Sequence, residues 1–331
     1  MVAMLKLKDV LENRQIVIYF LSVALAALCV YFVPGTHVLE QGINPALAFM
    51  LFVTFLQVPL GQLQRAFMHG RFVAALLISN FLVIPLFVAV LAQFLPADPH
   101  VRLGVLLVLL TPCIDYVVTF SHLGRADARL LLASTPTLLL AQMLLLPLYL
   151  SLFLGDEGRQ LVQVGPFIEA FVWLVAVPLA LAAIVQRWAG KSKAGQKAEE
   201  ILGLLPVPAT ALVLAIVVLA ILPQLGPASG AAISVVPVYI AFAIVAPLLG
   251  WGVSRMFRVE PAAGRAVAFS AGTRNSLVVL PLALSVPGAI PVVPAIIVTQ
   301  TLVELLSELV YIRYVPRLNH KCEDASQSVL K

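Results

Sequence analysis

The chain has 331 residues, of which 61% are apolar and only 11% charged, with a formal net charge of +5. A soluble domain carries about 25% charged residues, so this composition excludes a water-soluble fold and indicates a polytopic membrane protein. The basic residues cluster at the ends of apolar runs, which makes the charge a topology signal and excludes nucleic acid as a partner.

Runs of about 20 apolar residues span a bilayer as helices. Ten such segments follow one another: residues 15–33, 42–60, 71–95, 101–122, 129–154, 165–187, 201–224, 232–254, 263–285 and 290–314. They are too long for outer-membrane strands, so the expected fold is an all-α bundle. The first run is longer than a signal-peptide core, and Cys29 follows Leu28 instead of the small residue of a lipoprotein cleavage site; segment 1 reads as a retained helix. With both termini in the cytoplasm, 18 of the 21 Lys and Arg residues lie on the inner side. That asymmetry predicts a multi-pass protein of the cell inner membrane.

The polar stretch AGKSKAGQKAEE, residues 189–200, is the one long polar break in the chain. It divides residues 1–187, with segments 1–6, from residues 201–331, with segments 7–10 and the tail; 188–200 reads as a cytoplasmic linker within a single membrane domain. The first five segments form one half. Five is odd, so a duplicated half would enter the membrane in the opposite sense and produce an inverted repeat. NFLVIPLF and AFAIVAPLL place Pro85 and Pro247 162 positions apart, and CIDYVV falls on RNSLVV at a spacing of 161.

Those last two stretches are also the most polar points of any span. Segment 4 contains TPCIDY, with Thr111, Pro112, Cys113 and Asp115; segment 9 contains FSAGTRNSLVVLPL, with Ser270, Gly272, Thr273, Arg274, Asn275 and Ser276. Interrupted helices in corresponding places of two halves mark a midplane binding site, because unwound backbone needs a cavity or a partner. Segment 10 adds Glu304 and Glu308, one turn apart. Charge at membrane depth is costly and marks a pathway or proton relay; an Asp115–Arg274 ion pair is the structural alternative. Glu308 reads equally well as solvated. Asn80 and Gln142 read as interhelical hydrogen-bond glue. The five His residues, 37, 69, 100, 122 and 320, and the three Cys residues show no metal-ligand or disulfide spacing.

TPCIDYVVTFSHLGRADARL followed by a Leu-rich helix resembles the arsenical-resistance (Acr3-type) permeases, a branch of the bile acid:sodium symporter superfamily. The resemblance implies ten helices as two inverted five-helix repeats, with broken helices 4 and 9 crossing at the midplane. It also implies a functional Cys in helix 4, matched by Cys113, and a functional Glu in helix 10, matched by Glu304 in QTLVELLSEL. Segment 9 departs from that branch's pattern. Sodium-coupled relatives resemble EVGMQNS there, whereas SAGTRNS puts Ser270 and Arg274 at the cation-site positions.

The expected function is secondary transport of a small molecule, namely efflux of arsenite or a related metalloid in exchange for protons. As(III) is soft and prefers thiolate, so Cys113 would be its transient ligand. Thr111, Pro112, Asp115, Arg274, Asn275 and Ser276 would line the site, and Glu304 and Asp115 would carry the proton. No cofactor is expected. GKS at 190–192 lacks the upstream Gly of a P-loop, so ATP would have to act through a separate subunit; for secondary transport no ATPase subunit is expected. The alternative is a sodium- or proton-coupled organic-anion symporter with Arg274 as the carboxylate's partner. An intramembrane enzyme with Cys113 as nucleophile is a third reading, disfavoured because no His lies at membrane depth to activate the thiol.

Overall fold

The computed structural model describes residues 2–57, 69–114, 116–161, 172–284 and 291–319, with the isolated positions 165, 168, 169, 286 and 288. Among them every regular element is helical, and the protein is a multi-pass membrane protein. Seven helices are long and apolar enough to cross a membrane: Arg14–Phe32, Val38–Leu56, Gly70–Ala92, Ala128–Gly155, Val172–Ala189, Ala228–Met256 and Val292–Leu318. Three of the ten apolar segments fall short of that length. Pro206–Ile221 has 16 residues and meets the Lys193–Leu202 helix at a 43° bend. The other two are broken: Pro99–Leu109 resumes as Tyr116–Leu123, and Pro261–Gly272 resumes as Ser276–Leu284.

Most of the polar stretch expected as a linker is itself a helix, Lys193–Leu202, capped by the Ser192 hydroxyl, which accepts from Gly195 N at 3.0 Å. A glycine is required at 195, since a Cβ there would lie 2.6 Å from the Trp188 carbonyl carbon.

Two compact units divide the described residues. The first draws on Met1–Gly61, Gln160–Ile233 and Leu277–Val298. In it Val2–Phe32 and Ile43–Leu56 both pack on Pro206–Ile221, and Ser22 Oγ donates to Ala211 O at 2.6 Å. The second draws on Gln62–Arg159, Ser234–Ser276 and Thr299–Lys331. It holds the polar residues of both breaks and the acidic part of the last helix. Leu140, Leu144, Leu148 and Leu152 repeat every fourth residue along one exposed face of this unit, as do Ile240, Ile244 and Leu248. Such apolar stripes suit lipid contact, not water.

Candidate functional site

The first break follows from Pro112, which has no N–H and disfavours helix at the residue before it. The Pro99–Leu109 helix begins on the Asp98 carboxylate, which accepts from His100 N and Val101 N. At its other end Thr111 Oγ1 reaches back to Leu107 O at 2.9 Å. The second break has the same design without a proline. Thr273 is extended, at φ −105° and ψ 130°, and its Oγ1 lies 2.7 Å from Phe269 O.

The two breaks complete one another. Cys113 N donates to Thr273 O at 3.1 Å, and Asn275 N donates to Thr111 O at 2.8 Å, forming an antiparallel bridge between Pro112 and Arg274. Backbone groups orphaned by unwinding are thereby satisfied without water.

The Arg274 guanidinium is fully buried, at 0% exposure. Its Nη2 donates to Asn80 Oδ1 at 2.8 Å, Ser270 O at 2.6 Å and Ala271 O at 2.7 Å; Nη1 donates to Leu109 O at 3.3 Å. These carbonyls are the negative C-terminal ends of both interrupted helices, where a cation is stabilised. Phe242 adds its ring face 5.4 Å from the guanidinium carbon. Asn80 is fixed for this task by donating to Leu76 O and Ser270 Oγ, both at 3.0 Å. It sits in a wide π turn, Ser79–Val83, that precedes Pro85.

Glu304 ties the last helix to both breaks. It accepts from the Tyr116 hydroxyl, from Arg274 N at 2.6 Å and from Gln300 Nε2. Glu308, one turn on, is fully buried and hydrogen-bonded to the Thr273 hydroxyl, so the solvated reading of it is replaced by a buried one.

Most of the expected site residues therefore lie together in the second unit. Thr111, Pro112, Cys113, Arg274 and Asn275 form the bridge, Ser276 Oγ accepts from Thr301 at 2.8 Å, and Cys113 is fully buried. Asp115, and with it the Asp115–Arg274 pair, lies outside the described residues, as do His320 and Cys322. Asn80 is interhelical glue as expected. Gln142 is not: it is fully buried, and neither amide atom has a hydrogen-bond partner among the described residues. Tyr116, Gln300 and Phe242 were not singled out from the sequence. Gln300 could have been, since it stands four residues before Glu304 on the same helix face.

A second pair of contacts follows from proline. Pro85 has no N–H to give Phe81 O one turn below, and the Tyr149 hydroxyl donates there instead. Pro247 likewise leaves Ala243 O to the Tyr311 hydroxyl. Pro85 and Pro247, Phe81 and Ala243, and Tyr149 and Tyr311 all stand 162 positions apart. So do Thr111 and Thr273, Pro112 and Arg274, and Cys113 and Asn275. The bridge thus follows a register of 162, one residue from the 161 at which CIDYVV falls on RNSLVV.

Lipid-facing helices and a buried, thiol-bearing polar site on two cross-paired interruptions define a multi-pass protein of the kind that moves small molecules through a membrane. The chain belongs to the sodium bile acid symporter family, a transporter family, whose model matches residues 44–226. The match includes the first break and stops before the second. No curated protein matches the chain.

Proposed function

We propose that the protein is a secondary transporter that exports arsenite or a related metalloid in exchange for protons. The observation that carries this reading is that Cys113, the one buried thiol among the described residues, is seated in the bridge between two interrupted helices. A lone thiolate binds a soft centre and releases it, whereas several would retain it. Glu304 supplies the coupling. As a carboxylate it accepts hydrogen bonds from both breaks. Adding a proton converts one acceptor oxygen into a donor: on Oε1 it reverses the Tyr116 hydrogen bond, and on Oε2 it opposes two N–H donors, so protonation and the contacts with the breaks are linked. Asp115 is a second proton carrier in this reading.

The architecture we infer is ten membrane helices in two inverted five-helix repeats, with the broken pair meeting at the midplane. Its support is the spacing of 162 shared by the bridge and by both Pro–carbonyl–Tyr contacts, which lie in different helices. The distribution of Lys and Arg favours cytoplasmic termini and the inner membrane.

The second reading, an organic-anion symporter, is favoured by the family's own description. Against it, the Arg274 guanidinium that would hold a carboxylate already faces four protein oxygens. Uptake into everted vesicles decides between the two, with arsenite, antimonite and a panel of organic anions under imposed pH or sodium gradients. Arsenite accumulation driven by the pH gradient alone is expected. Sodium-driven uptake of an organic anion, with arsenite ignored, would replace the first reading by the second.

A further inference from the structure

Gln142 presents a problem that the site described above does not solve. Its side chain is 0% exposed, and both its amide oxygen and its amide nitrogen lack a partner among the described residues. A buried amide with no protein partner is costly unless water or a ligand serves it. A leucine in its place would avoid the cost entirely.

The spacing of 162 explains how the amide came to be alone. It maps Gln142 onto Glu304, whose carboxylate has three donors: Arg274 N, the Tyr116 hydroxyl and Gln300 Nε2. The residues at the corresponding positions are Pro112, Val278 and Leu138. None of them can donate: proline has no N–H, and the other two side chains are hydrocarbon. The half of the chain that carries Cys113 keeps the polar group without a hydrogen-bond partner for it among the described residues. On the same mapping, the place where Glu304 meets Arg274 N corresponds to Gln142 beside Pro112, next in sequence to Cys113.

We propose that Gln142 is a substrate-binding residue, and that with Cys113 it forms the site for a small, neutral, hydroxylated ligand. This inference rests on the arsenite reading. An amide offers both donors and an acceptor, and it therefore matches a trihydroxide whose hydroxyls also do both. In the bound state the Cys113 sulfur forms a bond to arsenic and one As–O bond breaks. The thiol proton leaves with that hydroxide as water, no oxidation state changes, and the two remaining hydroxyls pair with the Gln142 amide. Hydrolysis reverses the step and frees the ligand.

The test uses the purified full chain in lipid nanodiscs, with thermal unfolding followed in the absence and presence of sodium arsenite. Gln142→Leu should melt higher than wild type without arsenite, by roughly 2–5 °C, because it removes an unsatisfied amide. It should also bind arsenite about tenfold more weakly or worse, read from the arsenite concentration needed for the stabilising shift. Cys113→Ser should lose that shift. A Gln142→Leu protein that melts lower than wild type, or fails to fold, shows the amide to be structural and overturns the proposal. So does unchanged arsenite affinity in a stable Gln142→Leu protein, and that result leaves the arsenite reading standing. A wild type that shows no arsenite shift, with the same melting temperature as Cys113→Ser plus arsenite, overturns the arsenite reading and this inference together.

Discussion

Arg274 is a buried cation whose guanidinium has only neutral oxygens as hydrogen-bond partners among the described residues, and removing it tests the account of the breaks. Its two Nη2 hydrogens serve three oxygens at 2.6–2.8 Å, and Nη1 serves a fourth at 3.3 Å. Hydrogen bonds to a charged group contribute about 1.5–3 kcal/mol each, so two to three good ones amount to roughly 4–8 kcal/mol, with about 1 kcal/mol more from the Phe242 face. Deleting the charge returns the several kcal/mol that its desolvation costs. The net loss for Arg274→Ala is about 2–4 kcal/mol, or roughly 3–6 °C in melting temperature at this chain length. Arg274→Lys should fall between, since an ammonium is a point charge that cannot fork across both helix ends. The oxygens left behind in the alanine variant are the donor type that holds a hard cation. Sodium chloride in place of choline chloride should therefore recover part of the lost stability in Arg274→Ala and do nothing for the wild type, whose guanidinium repels a second cation in a low-dielectric site. Thermal unfolding in detergent or nanodiscs measures all three proteins. An alanine variant that melts with the wild type in choline chloride, or a sodium effect equal in both, would refute the reasoning.

Cys113→Ser should insert and fold yet lose metalloid transport in everted vesicles, because a hydroxyl is a hard ligand that As(III) does not favour; native transport in this variant removes thiol coordination from the mechanism. Glu304→Gln should keep substrate binding in part but lose the response to a pH gradient, measured as the ratio of uptake with and without the gradient. Tyr149→Phe and Tyr311→Phe each leave a proline-exposed carbonyl without its donor, and each should cost about 1–3 kcal/mol in thermal unfolding; no loss in either would show that Phe81 O and Ala243 O find other donors.

Seven of the apolar segments and the helix interruptions at TPC and GTRN were legible in the sequence, because composition and helix breakers are local signals. That Cys113, Arg274 and Glu304 belong to one site was implied by the family resemblance, not by those signals. The partners were not legible. Arg274 suggested an acidic partner, Asp115, which lies outside the described residues; that its guanidinium is held by Asn80 and by carbonyls at two helix ends was not legible, because a backbone acceptor leaves no trace in side-chain chemistry. Gln142 looked like glue because glutamine is polar; only its neighbours reveal that nothing among the described residues answers it. Tyr149 and Tyr311 were not singled out from the sequence; their role shows only where Pro85 and Pro247 leave a carbonyl without a donor. The one-residue difference between the spacings 161 and 162 has the same origin. Apolar helices tolerate a slip of residue types far better than a bridge tolerates a slip of register.

The breaks are stable for a reason that bears on how they can move. Each unwound segment exposes backbone groups that lipid cannot satisfy, and here each satisfies the other: Cys113 N with Thr273 O, Asn275 N with Thr111 O, and the helix ends through Thr111, Thr273 and Arg274. Sliding one break past the other would sever both backbone bonds and uncap two helices at once, with no water to take over. The same contacts fix the thiol, the guanidinium and Glu304 relative to one another. A cycle that exposes the site first to one side and then to the other is therefore expected to carry this cluster as a body, with the proton on Glu304 setting the tightness of its grip and not its connectivity.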